Sequence, residues 1–411
     1  MQRAVVRCRV WVCHDVAWGR TGGSVVSDAR LVVAADRLFD GDGFVEPARV
    51  MIEHGRVVAV GDEVREQPTL VLDGMTVLPG FVDCHQHLVF DGNGTLEEQV
   101  ANCSDDELRE RARANARRAL EGGVTTLRDL GDRNFVTLEL RNDEALPTIL
   151  CSGPPITPPG GHCWYLNGEC ADRDELAAAV AERAERGCDV VKIMATGGHG
   201  TPAAPAWQSQ FSADDLRVAV EEAHRRGLPV AAHCHGVEGI SDAVDAGVDT
   251  IEHCSFTSED WARQPDEDLL GRVATSQIPL SATFGRCPDV PIQLPPGGIP
   301  AWVTTMFDSM ARVRELGACI VVGTDAGINP SKPHDVAPHA IDALLRIEMS
   351  PHDALSALTA AGADAVGAAN KGRLAPGTDA DMVAVAGDLH ADVRTVANVE
   401  RVWRRGQPIT R

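Results

Sequence analysis

Hydrophobic and polar positions alternate with two different periods along this chain, and the change of period divides it into parts. Residues 29–75 contain short, valine-rich alternating segments such as "ARLVVAADRLFDGDG" and "ARVMIEHGRVVAVG", separated by turn residues. This pattern is typical of β-strands joined by hairpins. The segments "DADMVAVAGDLH" and "VERVWRRGQPI" repeat it within residues 375–411. We therefore predict that the two ends of the chain pair into one small sheet domain.

The middle part, residues 76–374, alternates short apolar segments with amphipathic segments of helical period. The helical segments, for example "DELAAAVAERAERG" and "SADDLRVAVEEAHRRG", begin at a capping Asp or Ser and close on Gly. The segments expected to form strands are "TVLPGFVD", "VTTLRD", "PTILCSG", "DVVKIMA", "LPVAAHCH", "VDTIEHC", "IPLSATF" and "ACIVVGTDA". Eight strands alternating with helices predict an α/β fold of the (β/α)8 TIM-like barrel type.

Composition and charge limit where in the cell the protein is expected and which classes of molecule it is expected to bind. Residues 1–28 have a basic start, but charged and polar residues break their apolar part, so we expect a loosely held extension or a start placed too early, not a secretory signal. The net charge of −22 should repel nucleic acid and anionic membranes, and no apolar segment is long enough to span a bilayer. The 12 cysteines form no CxxC pair and suggest reduced thiols. We expect a cytoplasmic homo-oligomer that acts on a small-molecule substrate.

Titratable side chains gather where the predicted strands end, which is where barrel enzymes keep their chemistry. Two strands end in paired histidines, and residues two apart on a strand share one face. His and Asp are ligands that suit zinc or a similar divalent ion. A lone pair of histidines is common without a metal, but a full set at one mouth predicts a shared metal site. Its members are His85, His87, His233, His235, His253 and Asp325.

Lys192 lies inside "VVKIM", flanked on both sides by residues that usually form cores. Burial of an ammonium is costly and lowers the amine pKa. One interpretation is a lysine whose head reaches the surface or pairs with a carboxylate. The other is a neutral amine that captures carbon dioxide as a carbamate, an anion that can bridge two cations.

Six motifs of the chain form a recognisable set: "GFVDCHQH", "GGVTTLRDLG", "VVKIMATGG", "AAHCHG", "TIEHC" and "GTDAG". Together they resemble the amidohydrolase superfamily, in particular its imidazolonepropionase-like branch with metal-dependent Xaa-Pro and Xaa-Arg dipeptidases. The resemblance covers residues 29–411, and "VMIEHGRVVAVG" and "LAPGTDADMVAV" match that family's composite domain. It implies a small β-sandwich domain from residues 29–75 and 375–411 around a metallohydrolase barrel of residues 76–374.

The resemblance also implies a cofactor and roles for the ligand residues. It implies two divalent cations per chain, zinc in the first place and manganese or iron as alternatives. His85 and His87 would bind one metal, and His233 and His253 the other. Lys192, carboxylated by carbon dioxide, would bridge the two metals. Asp325 would bind metal and carry the proton during catalysis.

Other positions depart from that branch or keep two interpretations. Relatives often have Tyr at the position of His235, which would then donate to the scissile carbonyl. The loop "PPGGHCWYLNGE" makes His162 a substrate-contact candidate, while Tyr165 could donate to substrate or only pack. His334 is expected behind the ligands rather than among them. The cysteines next to ligands, Cys84, Cys234 and Cys254, should point outward and pack as small hydrophobes.

The function predicted from these features is metal-dependent hydrolysis of a C–N bond in an amide, a dipeptide-like compound or a cyclic amide, by a metal-activated water. The alternative is a deaminase or imidazolone-type ring hydrolase with a single metal, although such enzymes usually lack the lysine on the fourth strand. A non-catalytic barrel scaffold is a remote alternative that the intact ligand set opposes.

Overall fold

The computed structural model of this protein describes residues 30–260, 265–291 and 300–410. The predicted extension at residues 1–28 lies outside these described residues. None of the helices in the described ranges combines the length and the apolar character needed to cross a bilayer.

The two ends of the chain share one seven-stranded sheet. Strand β4 is its centre, parallel to β1 on one side and antiparallel to β13 on the other. The neighbour order is β15-β14-β13-β4-β1-β2-β3. The strand bounds are β1 Leu31–Leu38, β2 Arg49–Glu53, β3 Arg56–Val60, β4 Leu70–Pro79, β13 Met382–Ala386, β14 Val399–Arg404 and β15 Gln407–Pro408.

Eight parallel strands carry the middle of the chain in two sheets, of order β5-β6-β7 and β12-β11-β10-β9-β8. Isolated parallel bridges pair Gln86 with Ala326 and Ile156 with Ile193, next to the edges of both sheets. The strands therefore follow the neighbour order of a TIM-like barrel. Their bounds are β5 Phe81–Gln86, β6 Val124–Asp129, β7 Thr148–Cys151, β8 Val191–Met194, β9 Val230–Gly236, β10 Thr250–Thr257, β11 Leu280–Thr283 and β12 Ile320–Gly323.

Helices follow most of these strands and cover the outside. Helix α4 begins at a capping box of Ser212 with Asp215, as the sequence pattern predicts. Helix α3 ends before Gly187 as predicted, but its cap is Asp172 and not Asp174, so it begins two residues earlier. The bounds in the described residues are α1 Leu96–Ala101, α2 Asp105–Glu121, α3 Arg173–Arg186, α4 Ala213–Arg225, α5 Val237–Ala246, α6 Glu267–Thr275, α7 Ala301–Glu315, α8 Ile341–Arg346, α9 Pro351–Leu358 and α10 Ala360–Ala365.

The first barrel strand differs from its prediction. The segment "TVLPGFVD" forms the end of β4 and the start of β5, separated by Gly80. A Cβ at this position would lie 2.1 Å from Oγ1 of Thr125, so only glycine lets the backbone pass so close to β6. Apolar content alone cannot distinguish one long strand from two strands that change sheets at a glycine.

The apolar core fills the space between the parallel strands and the helices. Every residue of β5, β9 and β10 is buried. In β9 the core residues Val230, Ala232 and Cys234 alternate with the polar positions. In β10 the register shifts after His253, so the adjacent Glu252 and His253 both carry polar side chains. The core therefore fixes the direction in which those side chains point.

Candidate metal centre

Two groups of potential ligands lie at the carboxyl ends of the parallel strands. One group consists of His85, His87 and Asp325, and the other of His233, His235 and His253. Within each group the ligand atoms lie within 4.8 Å of one another, and all six residues are buried. The paired histidines of β5 and β9 therefore face one mouth, and every residue predicted as a histidine or aspartate ligand is found there.

The first group is closely spaced. The Nε2 atoms of His85 and His87 are 3.2 Å apart. Oδ1 of Asp325 lies 3.5 Å from Nε2 of His85 and 3.3 Å from Nε2 of His87. Burial by itself would raise the pKa of Asp325, but the hydrogen bond from His87, the neighbouring His85 and the Lys332 ammonium hold that pKa well below its usual range. Asp325 is therefore an ionised acceptor.

The second group consists of three imidazoles in mutual contact. The ring of His253 lies 4.5 Å from that of His233 and 4.4 Å from that of His235, on which it stacks. It also lies 5.1 Å from the ring of His85, which belongs to the first group. Burial lowers the pKa of all three rings. They are therefore neutral, the form in which histidine binds a metal.

Each of the five histidines in the two groups has one ring nitrogen in a hydrogen bond. Partners of this kind usually orient metal-binding histidines and fix the ring tautomer. The Nε2 atoms of His85 and His87, which these partners leave over, face each other and Oδ1 of Asp325. The partners are Glu252 for His85 at 2.9 Å, the Gly131 carbonyl for His87 at 3.2 Å, the Gly197 carbonyl for His233 at 3.0 Å, Ser255 for His235 at 2.7 Å and Thr283 for His253 at 3.0 Å.

Glu252 is the charged partner in this set, and sequence reasoning missed it. Its Oε1 accepts hydrogen bonds from Arg128 and Thr250, both at 2.7 Å. Burial by itself would raise the pKa of Glu252, but the Arg128 guanidinium and the hydrogen bond with His85 hold it well below its usual range. An ionised, fully buried carboxylate thus orients a proposed ligand. The signal was present, since Glu252 is the residue before His253 in "TIEHC".

Lys192 lies on β8 and is completely buried. Its Nζ has no hydrogen-bond partner in the structure. Neither reaching the surface nor pairing directly with a carboxylate therefore describes this lysine. Burial lowers the pKa of the amine, while the charges of Glu252 and Asp325 act in the opposite direction. A buried amine without a partner costs about 1–3 kcal/mol.

The other predicted positions lie at different distances from the two groups. The ring of His162 lies 4.6 Å from that of His233, so it borders the centre. Tyr165 instead packs in an apolar cluster, and its hydroxyl donates to the Cys163 thiol at 3.6 Å. His334 uses both nitrogens, on Gln86 at 3.1 Å and on the Phe90 carbonyl at 3.0 Å, so it supports the β5 end rather than offering a ligand atom.

His199 is a further residue that sequence reasoning missed. It follows β8 in "ATGGHG", and its ring lies 4.7 Å from that of His235 and 5.7 Å from that of Trp302. Only its position in the sequence could have indicated it, because His199 directly follows the motif "VVKIMATGG". It lies at the outer rim of the second group.

The cysteines beside the ligands pack away from the centre. Cys234 and Cys254 belong to the main core cluster, and Cys84 packs among apolar residues of another cluster. Burial raises the pKa of all three thiols, so they are poor sources of thiolate. Nine cysteines of the described ranges are free, but Cys319 is disulfide-bonded, so the expectation of reduced thiols is wrong at that position.

The model of the amidohydrolase family matches residues 76–269 and 303–409. An uncharacterized protein of Mycobacterium tuberculosis is 30% identical over 298 residues, covering 70% of this chain and 73% of that protein. Ochratoxinase of Aspergillus niger is 26% identical over 427 residues, covering 92% of this chain and 86% of that enzyme.

A crystal structure shares the architecture. A Xaa-Pro dipeptidase with bound methionine in its active site superimposes with a TM-score of 0.76 at 23% identity. The match covers 92% of this chain and 99% of that one. At this identity the match shows the fold alone, and that fold is a TIM-like barrel.

Proposed function

This chain belongs to the amidohydrolase family and is a metal-dependent hydrolase of C–N bonds, and from that premise we propose that it cleaves an amide, a dipeptide-like bond or a cyclic amide at a centre for two divalent cations. Lys192 carries the proposal, because it is completely buried on β8 and its Nζ has no hydrogen-bond partner in the described part of the chain. A centre with a single cation would not need this residue.

The residues fit a pair of cations bridged by a modified lysine. A neutral amine attacks carbon dioxide, forms an N–C bond and loses one proton, which gives a carbamate anion. His85, His87 and Asp325 would hold one cation, and His233 and His253 the other, with carboxylated Lys192 shared between them. Zinc suits these imidazole and carboxylate ligands, and manganese or iron are the alternatives.

The chain's own residues would then carry the polar steps of hydrolysis. When bound, the cations lower the pKa of water so that hydroxide is available near neutral pH. His235 donates from its free nitrogen to the scissile carbonyl oxygen, because Ser255 occupies the other nitrogen. Asp325 accepts the proton of the attacking water and delivers it to the leaving nitrogen. His162 borders the substrate, and Tyr165, with its hydroxyl on Cys163, supports the loop.

The finer organisation of the molecule belongs to the same proposal. We propose a closed (β/α)8 barrel over residues 76–374, with residues 29–75 and 375–411 forming a composite β-sandwich domain. The bridges from Gln86 to Ala326 and from Ile156 to Ile193 support closure, and the shared seven-stranded sheet supports the composite domain. The charge of −22 supports a small-molecule substrate over nucleic acid or anionic membranes. A cytoplasmic location and a homo-oligomer also belong to the proposal.

A mononuclear deaminase or imidazolone-type ring hydrolase is the second candidate. One observation favours it: His233, His235 and His253 form a group of three imidazoles that could hold one cation without help from Lys192. The number of bound cations separates the two candidates, because the binuclear centre needs two per chain.

The test is to remove the metal with a chelator and to return zinc, manganese or iron in measured amounts. We expect activity on a panel of N-acyl amino acids, dipeptides and lactams to disappear and to return as two ions per chain bind. His85→Gln should prevent recovery. His224→Gln is the matched control, since His224 pairs with Asp249, just before β10 begins, at the opposite end of the strands. Full activity of metal-free protein would contradict the mechanism.

A further inference from the structure

Lys332 lies in the loop after β12 and points back into the mouth of the barrel. The loop is closed by backbone hydrogen bonds from Gly327 N to the Lys332 carbonyl at 2.8 Å and from Lys332 N to the Asn329 carbonyl at 3.0 Å. From this fixed position, Nζ donates to the Thr283 carbonyl at 2.7 Å and to the Thr324 carbonyl at 2.6 Å. One side chain thus links the ends of two neighbouring strands.

The Thr283 link leads to the second ligand group. Thr283 is the last residue of β11, and its hydroxyl is the partner of Nδ1 of His253 at 3.0 Å. Any movement of the Thr283 backbone would therefore change the orientation of the His253 ring. The first bond of Lys332 restrains that movement.

The Thr324 link leads to the first ligand group. Thr324 directly precedes Asp325, and its hydroxyl and amide donate to Asp83 at 2.6 and 2.9 Å. Asp325 itself has φ of 59°, a left-handed conformation that costs a non-glycine residue energy unless its neighbours enforce it. The second bond of Lys332 restrains the backbone immediately before this strained residue.

The local chemistry explains why an ammonium is used here. Carbonyls at the carboxyl ends of parallel strands project past the ladder and need donors when they are buried. An ammonium has three donors and no acceptor, so it can serve two carbonyls at once. The carboxylates of Asp325 and Asp83 supply the opposite charge nearby.

We propose that Lys332 is a positioning residue that fixes the spacing between the two ligand groups by tying the end of β11 to the end of β12. The inference rests on the proposed binuclear centre, because spacing matters only where both groups hold a cation. It assigns Lys332 a function at the metal centre without making it a ligand.

The experiment compares Lys332→Met with Lys332→Arg, whose guanidinium can still donate to two carbonyls. Arg118→Met is the matched control: Arg118 lines the same cavity of about 300 Å³ as Lys332, but it pairs with Asp335 and touches neither strand end. Two readouts are taken on full-length protein: the affinities for the first and second Mn²⁺ in chelator competition, and the spin-coupled paramagnetic resonance signal of the Mn²⁺ pair. Urea unfolding of the metal-free proteins is measured in parallel.

We expect Lys332→Met to bind the second Mn²⁺ about 10–100-fold more weakly and to lose or alter the spin-coupled signal, as for other residues that orient ligands. Lys332→Arg should recover most of both, and Arg118→Met should behave as wild type. Wild-type affinities and signal in Lys332→Met, even with a lower unfolding midpoint, would overturn the proposal and leave only a loop anchor. If Lys332→Met does not fold, Lys332→Gln takes its place. A spin-coupled signal that is unchanged in both Lys332→Gln and Lys332→Arg would then also overturn the proposal. Wild-type protein that binds fewer than two ions would instead contradict the binuclear centre itself.

Discussion

Replacing Glu252 with Gln tests whether the buried partners of the ligands, and not the ligands alone, build this centre. Glu252 has no exposed surface and accepts from Arg128, which is 2% exposed, while its other oxygen holds Nδ1 of His85. Gln keeps the shape but removes the charge, and one end of its amide must become a donor. The change therefore acts on the ion pair with Arg128 and on the orientation of His85.

The two effects have different magnitudes. Leaving a buried guanidinium without its carboxylate typically costs about 3–5 kcal/mol. Arg128 also donates to the Cys84 carbonyl at 2.8 Å, so we expect the lower end of that range. Loss of the charged partner of a metal-binding histidine typically weakens metal binding about 10–100-fold.

Both quantities can be measured separately. Urea unfolding of metal-free protein should show Glu252→Gln destabilised by about 3 kcal/mol, and chelator competition should show the weaker metal binding. Thr250→Val is the control, since it removes one bond to the same carboxylate but leaves Arg128 and His85 paired. If Glu252→Gln matched wild type in both measurements, or if Thr250→Val lost as much metal affinity as Glu252→Gln, the reasoning would be refuted.

Four further predictions follow from the same geometry. Lys192→Ala should bind less metal and regain part of its activity with acetate or propionate, which can replace the carbamate; two bound metals and full turnover in Lys192→Arg would contradict the bridge. Asp325→Asn should keep much of its metal and lose about 10²–10⁴-fold in turnover, so normal metal with near-normal turnover would remove Asp325 from proton transfer. His235→Phe should bind two ions and turn over slowly if His235 is the carbonyl donor, and loss of the second ion would instead make His235 a ligand. Burial lowers the pKa of three imidazoles in the folded chain to about 3 or 4, whereas unfolded histidine titrates near 6.5. These three imidazoles are His85, His162 and His334. The unfolded state then binds the extra protons, so these three groups alone should lower the free energy of unfolding of metal-free protein by up to about 4 kcal/mol per pH unit from pH 6.5 to pH 4 in urea titrations. A flat pH profile would contradict their burial as neutral groups.

Local patterns in the sequence predicted most of the strands and helices, and which polar side chains would gather at one mouth. Helix α4 begins at its predicted cap, Ser212, whereas α3 begins after Asp172, two residues before the predicted Asp174. In both helices the cap accepts from the amide three positions along the chain. The paired histidines of β5 and β9 face one way because strand period alone decides it. Parallel strands end on the same side, so the proposed ligands at the ends of four strands were expected to meet.

The residues that orient those ligands were beyond local patterns. Arg128 is 124 positions from Glu252, and Lys332 is 49 positions from Thr283. Each is an ordinary charged residue in sequence, and only the register of neighbouring strands brings it to its partner. The break at Gly80 was missed for the same reason, since it is Thr125 on β6 that excludes any side chain there.

The centre also contains several features that raise the free energy of the folded, metal-free protein. His253 and Asp325 both adopt left-handed backbone conformations, with φ of 67° and 59°, each costing about 1–3 kcal/mol. Lys192 adds a buried amine without a partner, and the neutral imidazoles give up the hydration they would have as cations. All of these unfavourable features belong to residues whose nitrogen or oxygen atoms converge at the carboxyl ends of the parallel strands. Unfavourable features gathered at one place are usually offset when the ligand binds there. Metal loading should therefore raise the unfolding temperature of wild type far more than that of Lys192→Ala. An equal rise in both would mean that the strained positions serve the fold and not the metal.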